Sequence, residues 1–305
     1  MTRLLRWHPP LMLFSLLMTA LTLLSAGGLL VDDRILAGSP IWFKPFKFSV
    51  SLVVYGVTLA WMLTFVTRFR RLAWWAGTAI AVAGSVEMTI IITQVLRGRR
   101  SHFNVATALD ATLYSVMATT IVTLWAMHAI IAVALMFTRF EDRAAGLAIR
   151  LGLGLALVGL AVGFLMTQPV PGQDPAAGVV GAHSVGVPDG GPYLAATGWS
   201  TTGGDLRVPH FVGIHALQVL PLVVLLLRRR ANTALVWGAA IGYAGLMALV
   251  TWQALRGQPL LRPDAATWAG AAAVLAWTGA STTWALRRRP APPAPSTPER
   301  EAVPA

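Results

Sequence analysis

Residues 72–95 read LAWWAGTAIAVAGSVEMTIIITQV, twenty-four residues in which Glu87 is the sole charged side chain. A bilayer core of roughly 30 Å takes about 20 apolar residues as a helix, so this stretch spells a transmembrane helix with one carboxyl inside it. Seven further runs, all free of charge, surround it at 11–31, 48–67, 111–138, 151–167, 208–227, 231–255 and 265–286. The run 151–167 is short and is expected to take in 144–149 by letting Arg150 snorkel toward a headgroup. The predicted fold class is therefore all-α: a polytopic membrane protein of eight transmembrane helices.

Composition agrees with that reading. Of 305 residues, 56% are hydrophobic and 12% charged, and the mean hydropathy is +0.65, far above that of a soluble domain. The net charge of +12 would suggest nucleic acid if it covered one soluble face. Instead the arginines fall in short clusters between apolar runs, so the expected partner is the lipid bilayer and not nucleic acid. Without cysteine, disulfides, thiolate metal sites and cysteine nucleophiles are excluded. No P-loop, GxSxG, HExxH or dinucleotide fingerprint is present, which leaves ATP-driven transport and the common hydrolase chemistries without support.

With the N-terminus inside, 13 Lys and Arg lie on the inner side and 9 on the outer, so both termini are expected to be cytoplasmic. Residues 290–305, rich in Pro and Ala, read as a disordered tail. Residues 168–207 form one long outer loop in which Tyr193, Trp199 and His183 are scattered among glycines. A loop of that length is either functional or disordered.

The phrase Gln94-Val-Leu-Arg97-Gly98 returns as Gln253-Ala-Leu-Arg256-Gly257, a displacement of 159 residues. Each copy is followed by an Asp, Asp110 or Asp264, expected to cap the next helix. The pattern suggests duplication into two parallel four-helix halves, 1–143 and 144–289, related by an axis along the membrane normal. The alternative is that QxLRG is a common helix exit with Gly as C-cap.

Glu87 lies about eight residues from the outer end of its helix, roughly 12 Å deep. Intramembrane carboxyls generally face a bundle interior, as a functional acid or one hydrogen-bonded to a neighbour. His215 enters about as deep from the same side, and with helices three and six adjoining, the two are expected within about 8 Å of each other as a catalytic pair. Gln94, His102, His210, His215 and Gln218, with Arg207, are the candidate cofactor ligands; His183 and Asp205 are the candidate metal ligands, and Asp189 could close over the same mouth. The segment Ile41-Trp-Phe-Lys44-Pro-Phe-Lys47-Phe places two amines amid aromatics, as interfacial anchors or as a clamp for an anion or headgroup.

Eight helices in two parallel halves, with polar His-bearing outer loops, resemble the haem A synthase family. The nearest local match is His215 with the preceding GGDLRVPHF. That resemblance implies haem ligated by paired His on the even helices and a Glu taking part in oxidation. The second and eighth runs, however, hold no His. Phrases such as FKPFKF and RGRRSHFN resemble bacterial multi-pass proteins of the inner (plasma) membrane. The expected function is an outward-facing polar pocket for a haem, a divalent metal or a quinone-like molecule, in a redox or cofactor-handling role such as a membrane oxidoreductase. The rivals are a proton-coupled secondary transporter of a small molecule, with Glu87 as coupling group, and a non-catalytic assembly factor.

Overall fold

The computed structural model describes residues 4–170, 173, 175–227 and 230–287, so the expected tail at 290–305 lies outside the described residues. Among these, eight long helices make the fold: α1 (Pro9–Val31), α2 (Phe43–Leu63), α3 (Arg70–Leu96), α4 (Ala108–Met136), α5 (Arg143–Val162), α6 (Arg207–Leu227), α7 (Thr233–Leu255) and α8 (Ala265–Arg287). The seven helices α1–α7 are long and apolar enough to cross a membrane. Helix α8 has the length but, with its Ala, Thr and Trp, less hydropathy, and it buries only Thr267 and Ala285. Large apolar side chains face outward around the bundle, Leu30, Leu226 and Leu275 among them. An apolar exterior over a helical core that satisfies its own backbone is what a bilayer requires.

Several boundaries move from their expected places for local reasons. Helix α2 starts at Phe43 rather than at residue 48, with Pro45 in its first turn, so Lys44 and Lys47 belong to the helix. Helix α5 starts at Arg143, capped by the Asp142 carboxylate on Ala144 N and Ala145 N. The intervening Arg150 reaches back to Leu135 O and Thr138 O, and the span ends in a 3₁₀ turn, Gly163–Thr167. Helix α1 begins with His8 as cap: Nδ1 accepts from Leu11 N at 3.2 Å, and Nε2 lies 2.9 Å from Trp74 O of α3.

Packing recurs with a displacement of four helices. Pairs α1–α2, α3–α4, α2–α3 and α1–α3 reappear as α5–α6, α7–α8, α6–α7 and α5–α7, with α4–α5 joining the sets. The two helix exits also share one geometry. Gln94 Nε2 donates to Arg100 O at 3.0 Å and Gln253 Nε2 to Pro259 O at 2.9 Å, each six residues on. Arg97 pairs with Asp110 and Arg256 with Asp264, both at 2.7 Å. Gly98 and Gly257 take φ of 65° and 70°, which favours glycine. The two Asp differ in role. Asp264 caps α8 through Thr267 N, whereas the cap of α4 is Thr107, and Asp110 sits three residues later, exchanging hydrogen bonds with it in a capping box.

The extensive α5–α6 contact rests on small residues. A Cβ at Gly159 would run into the Gly213 backbone, and one at Gly152 would meet Ala216 O at 2.9 Å. Close approach through Gly and Ala is the usual route to helix association in lipid. Gly159→Val is expected to destabilise the protein by about 1–3 kcal/mol through overpacking. Gly154→Ala, where a Cβ meets nothing within 4 Å, should instead leave stability unchanged or raise it by about 0.5–1 kcal/mol. Denaturant unfolding in neutral detergent measures both, and equal effects would contradict the crossing.

Candidate functional site

The bundle end carrying the C-termini of α1, α3, α5 and α7 is covered by the long loop, whose described part is folded. Strand β1 (Ile35–Leu36) pairs with β2 (Ser39–Pro40) across a turn at Ala37 and Gly38, both at positive φ. Strand β3 (Ser184–Val185) pairs with β4 (Gly204–Asp205). Val105 N donates to Gly178 O and Val180 N to Phe103 O, tying the long loop to the segment after α3.

Beneath this cover lies a cavity of about 160 Å³. Its wall is apolar where α2 and α3 meet, with Phe43, Phe48, Ile91 and Val95. Five cationic side chains line the rest: Lys44, Lys47, Arg99, Arg100 and Arg207. The single carboxylate in the lining is Asp189, and it is already engaged, accepting from His183 N, His183 Nδ1 and Ser184 N at 3.0, 2.9 and 2.9 Å. Lys47 Nζ donates to Thr197 O at 2.6 Å and sits 4.1 Å from the Phe43 ring centre. Arg207 is held by Asp205 at 2.5 Å and by Gly198 O at 2.6 Å. The side chains of Lys44, Arg99 and Arg100 make no ion pair with any described residue.

Glu87 does not line the cavity; it lies behind His102, one helical turn below the lining residue Ile91 and on the same face of α3. It is only 3% exposed. Oε2 accepts from Thr120 Oγ1 of α4 at 3.1 Å. Oε1 is 3.4 Å from His102 Nε2, within reach as an ion pair but without hydrogen-bond geometry, so that buried oxygen is unsatisfied. His102 Nδ1 is 3.1 Å from Ser101 Oγ, and its ring meets Phe48 edge-on.

Of the residues singled out in the sequence, the structure brings Lys44, Lys47, His102, His183, Asp189 and Arg207 into the lining of this cavity, with Glu87 behind His102. The others go elsewhere. Gln94 is spent on the α3 exit, bonding Arg100 O and Asp110. His210 Nδ1 lies 2.8 Å from Gly159 O and ties α6 to α5. His215 pairs with Gln218, which reaches Thr58 of α2. The expected α3–α6 adjacency gives way because α6 packs on α5 and α7, while the main neighbours of α3 are α4, α2 and α1. Glu87 and His215 therefore sit in separate polar clusters. Asp205 serves Arg207 and Ser200 N rather than a metal, and among the described residues no three His, Asp or Glu gather as a metal site. His128 bonds Tyr55 and Leu153 O deep in the bundle. Sequence reading left Lys44 and Lys47 as anchors or clamp, and both line the cavity. Asp189, expected to close over the same mouth, reaches the lining through the loop fold.

No protein-family model matches the chain, and neither a curated protein nor a solved structure is significantly similar to it.

Burial, with the Lys44 and His183 charges beside it, holds the His102 pKa well below the usual histidine value. His183 is also lowered, chiefly by burial, with Asp189 pulling the other way. Burial alone would raise Asp189, but hydrogen bonds from His183 and Ser184 keep it low. A histidine lowered on folding binds fewer protons in the native state than in the unfolded chain. Stability should thus be intact above the unfolded value of about 6.5 and decline as pH falls through it. His102→Gln should reduce that acid sensitivity, and unfolding midpoints taken from about pH 7.5 down to 5 would expose an unchanged slope as a contradiction.

Proposed function

We propose that this membrane protein captures a small organic anion at the mouth of its helical bundle. The observation that carries the reading is the lining of the cavity, where Asp205 pairs Arg207 but Lys44, Lys47, Arg99 and Arg100 face one lining carboxylate that His183 and Ser184 already engage. Uncompensated charge in a site walled by low-dielectric side chains is costly and favours an occupant of opposite sign. The apolar wall of Phe43, Phe48, Ile91 and Val95 asks for a carbon body beside the anionic group. A cavity of about 160 Å³ is close to the roughly 150 Å³ that accepts benzene, so the occupant is the size of an aryl carboxylate or aryl phosphate.

A neutral quinone-like headgroup would leave the cations unbalanced. Nor do the donors suit a divalent metal, since the nearest imidazole–carboxylate pairs, His102–Glu87 and His183–Asp189, gain no third ligand among the described residues. Haem ligation of the resembled kind has no paired His on α2 and α8 to rest on.

Phenyl phosphate and benzoate should raise the melting temperature of the protein in neutral detergent, while benzyl alcohol and benzylamine should not. Lys44→Met, which breaks no ion pair, should weaken the anions about tenfold, or about 1.4 kcal/mol, and added salt should weaken them further. Stabilisation by benzylamine equal to that by benzoate would sink the proposal.

A second reading follows from the unsatisfied Glu87 Oε1, which lies behind the lining residue His102. A buried acid with a free oxygen beside His102 can exchange a proton as the anion arrives, which is the requirement for a proton-coupled carrier. In proteoliposomes, Glu87→Gln should keep phenyl phosphate binding yet abolish its accumulation under a pH gradient. Accumulation by the variant at the wild-type rate would exclude Glu87 as the coupling acid, and no accumulation by the unaltered protein would leave a receptor rather than a carrier.

A further inference from the structure

At the opposite end of the bundle an open groove of about 630 Å³ runs between the end of α4 and the starts of α5 and α7. Arg143, Leu147 and Arg150 follow one another at helical spacing on a single face of α5, and Arg139 joins them from the α4–α5 linker. None of the three arginines makes an ion pair with a described residue. Arg150 has a structural duty, donating from Nε and Nη2 to Leu135 O and Thr138 O and so tying α5 to the end of α4. Its guanidinium lies 5.3 Å from the Phe140 ring centre.

The local carboxylates do not cancel this charge. Asp142 accepts from Ala144 N and Ala145 N as the cap of α5, and the exposed Glu141 makes no ion pair with a described residue. Two helix N-termini, those of α5 and α7, add partial positive charge to the same place. The remaining wall is apolar and open, with Met136 48%, Phe137 53% and Trp237 50% exposed. A groove with arginines at one level and an exposed Trp and Met at the other, at the boundary of an apolar helical bundle, matches a molecule with a phosphate head and a hydrocarbon tail.

We propose that this groove is a binding site for an anionic phospholipid, with the headgroup phosphate held by Arg139 and Arg143 and the first carbons of an acyl chain laid along Trp237 and Met136. Arginine suits the task because its planar fork matches two phosphate oxygens at once. Basic pockets between transmembrane helices are known sites for anionic headgroups. The site is independent of the organic-anion cavity and stands or falls without it.

The test uses the full chain, purified in neutral detergent, with added phosphatidylglycerol, phosphatidylcholine or glycerol phosphate. Phosphatidylglycerol should remain bound in native mass spectrometry and raise the melting temperature; phosphatidylcholine and glycerol phosphate should do neither. The double substitution Arg139→Gln with Arg143→Gln spares Arg150 and its hydrogen bonds, and should weaken phosphatidylglycerol at least tenfold. The pair Arg68→Gln with Arg71→Gln, which removes the same charge from the α2–α3 linker and the first turn of α3, should leave it unchanged. Equal loss in both pairs, or equal retention of phosphatidylcholine by the unaltered protein, overturns the proposal. Protection by glycerol phosphate matching that by the lipid would make this a free-phosphate site and overturn it too.

Discussion

The ion pair between Asp205 and Arg207 is the interaction on which the covered end of the molecule depends. Asp205 is buried, and its two oxygens accept from Ser200 N, Arg207 N and two nitrogens of the Arg207 guanidinium. The same guanidinium fixes Gly198 O, next to the Thr197 carbonyl that receives Lys47. One carboxylate thereby ends the long loop, starts α6 and sets the rim of the cavity. Removing one partner of such a pair leaves a buried charge uncompensated, at a cost of about 3–5 kcal/mol. Because Asp205 is consumed by Arg207 and Asp189 by His183, neither forms an ion pair with Lys44, Arg99 or Arg100, and the lining keeps its excess of basic side chains.

The architecture was legible because a bilayer imposes length and apolarity on each span, and those are visible residue by residue. What stayed hidden depended on where side chains bend. A search for charge-free runs begins α2 after Lys47, yet a lysine amine on a flexible stem can turn back to the helix end while its backbone continues the helix. Arg150 shows the same behaviour inside α5, and there the short run made it visible beforehand.

The candidate site was legible in part for a related reason. Glu87 and His102 declare themselves by rarity and by position at one helix exit. His210 and His215 were misplaced because depth along a helix says nothing about which neighbour it faces. That choice is made by Gly152, Gly159 and Gly213, which let α6 approach α5 more closely than any bulkier face allows. Small residues carry little weight in a reading built on polar side chains, although in lipid, where apolar contact alone confers no preference among helices, they decide the packing order.

The recurring packing poses a last question: why two similar helix exits yield one cavity. The exits at Gln94 and Gln253 share their hydrogen bonds and ion pairs, but the chain that follows differs. After α3 it runs through Arg99, Arg100 and His102 before α4 begins, whereas after α7 a shorter turn through Pro259 and Pro263 leads straight to α8. The long loop then treats the two exits unequally. Its β3–β4 pair settles on the end of α7, where Gly204 approaches Ala254 O too closely for a side chain to intervene and Gly257 lies in contact with Val185. From that footing the loop crosses to the other exit, pairing 178–180 with 103–105 and bringing Gly190 against Gly38. The last four helices thus serve as the platform and the first four supply the charged wall, so two similar helix exits share one covered cavity through the course of one strap.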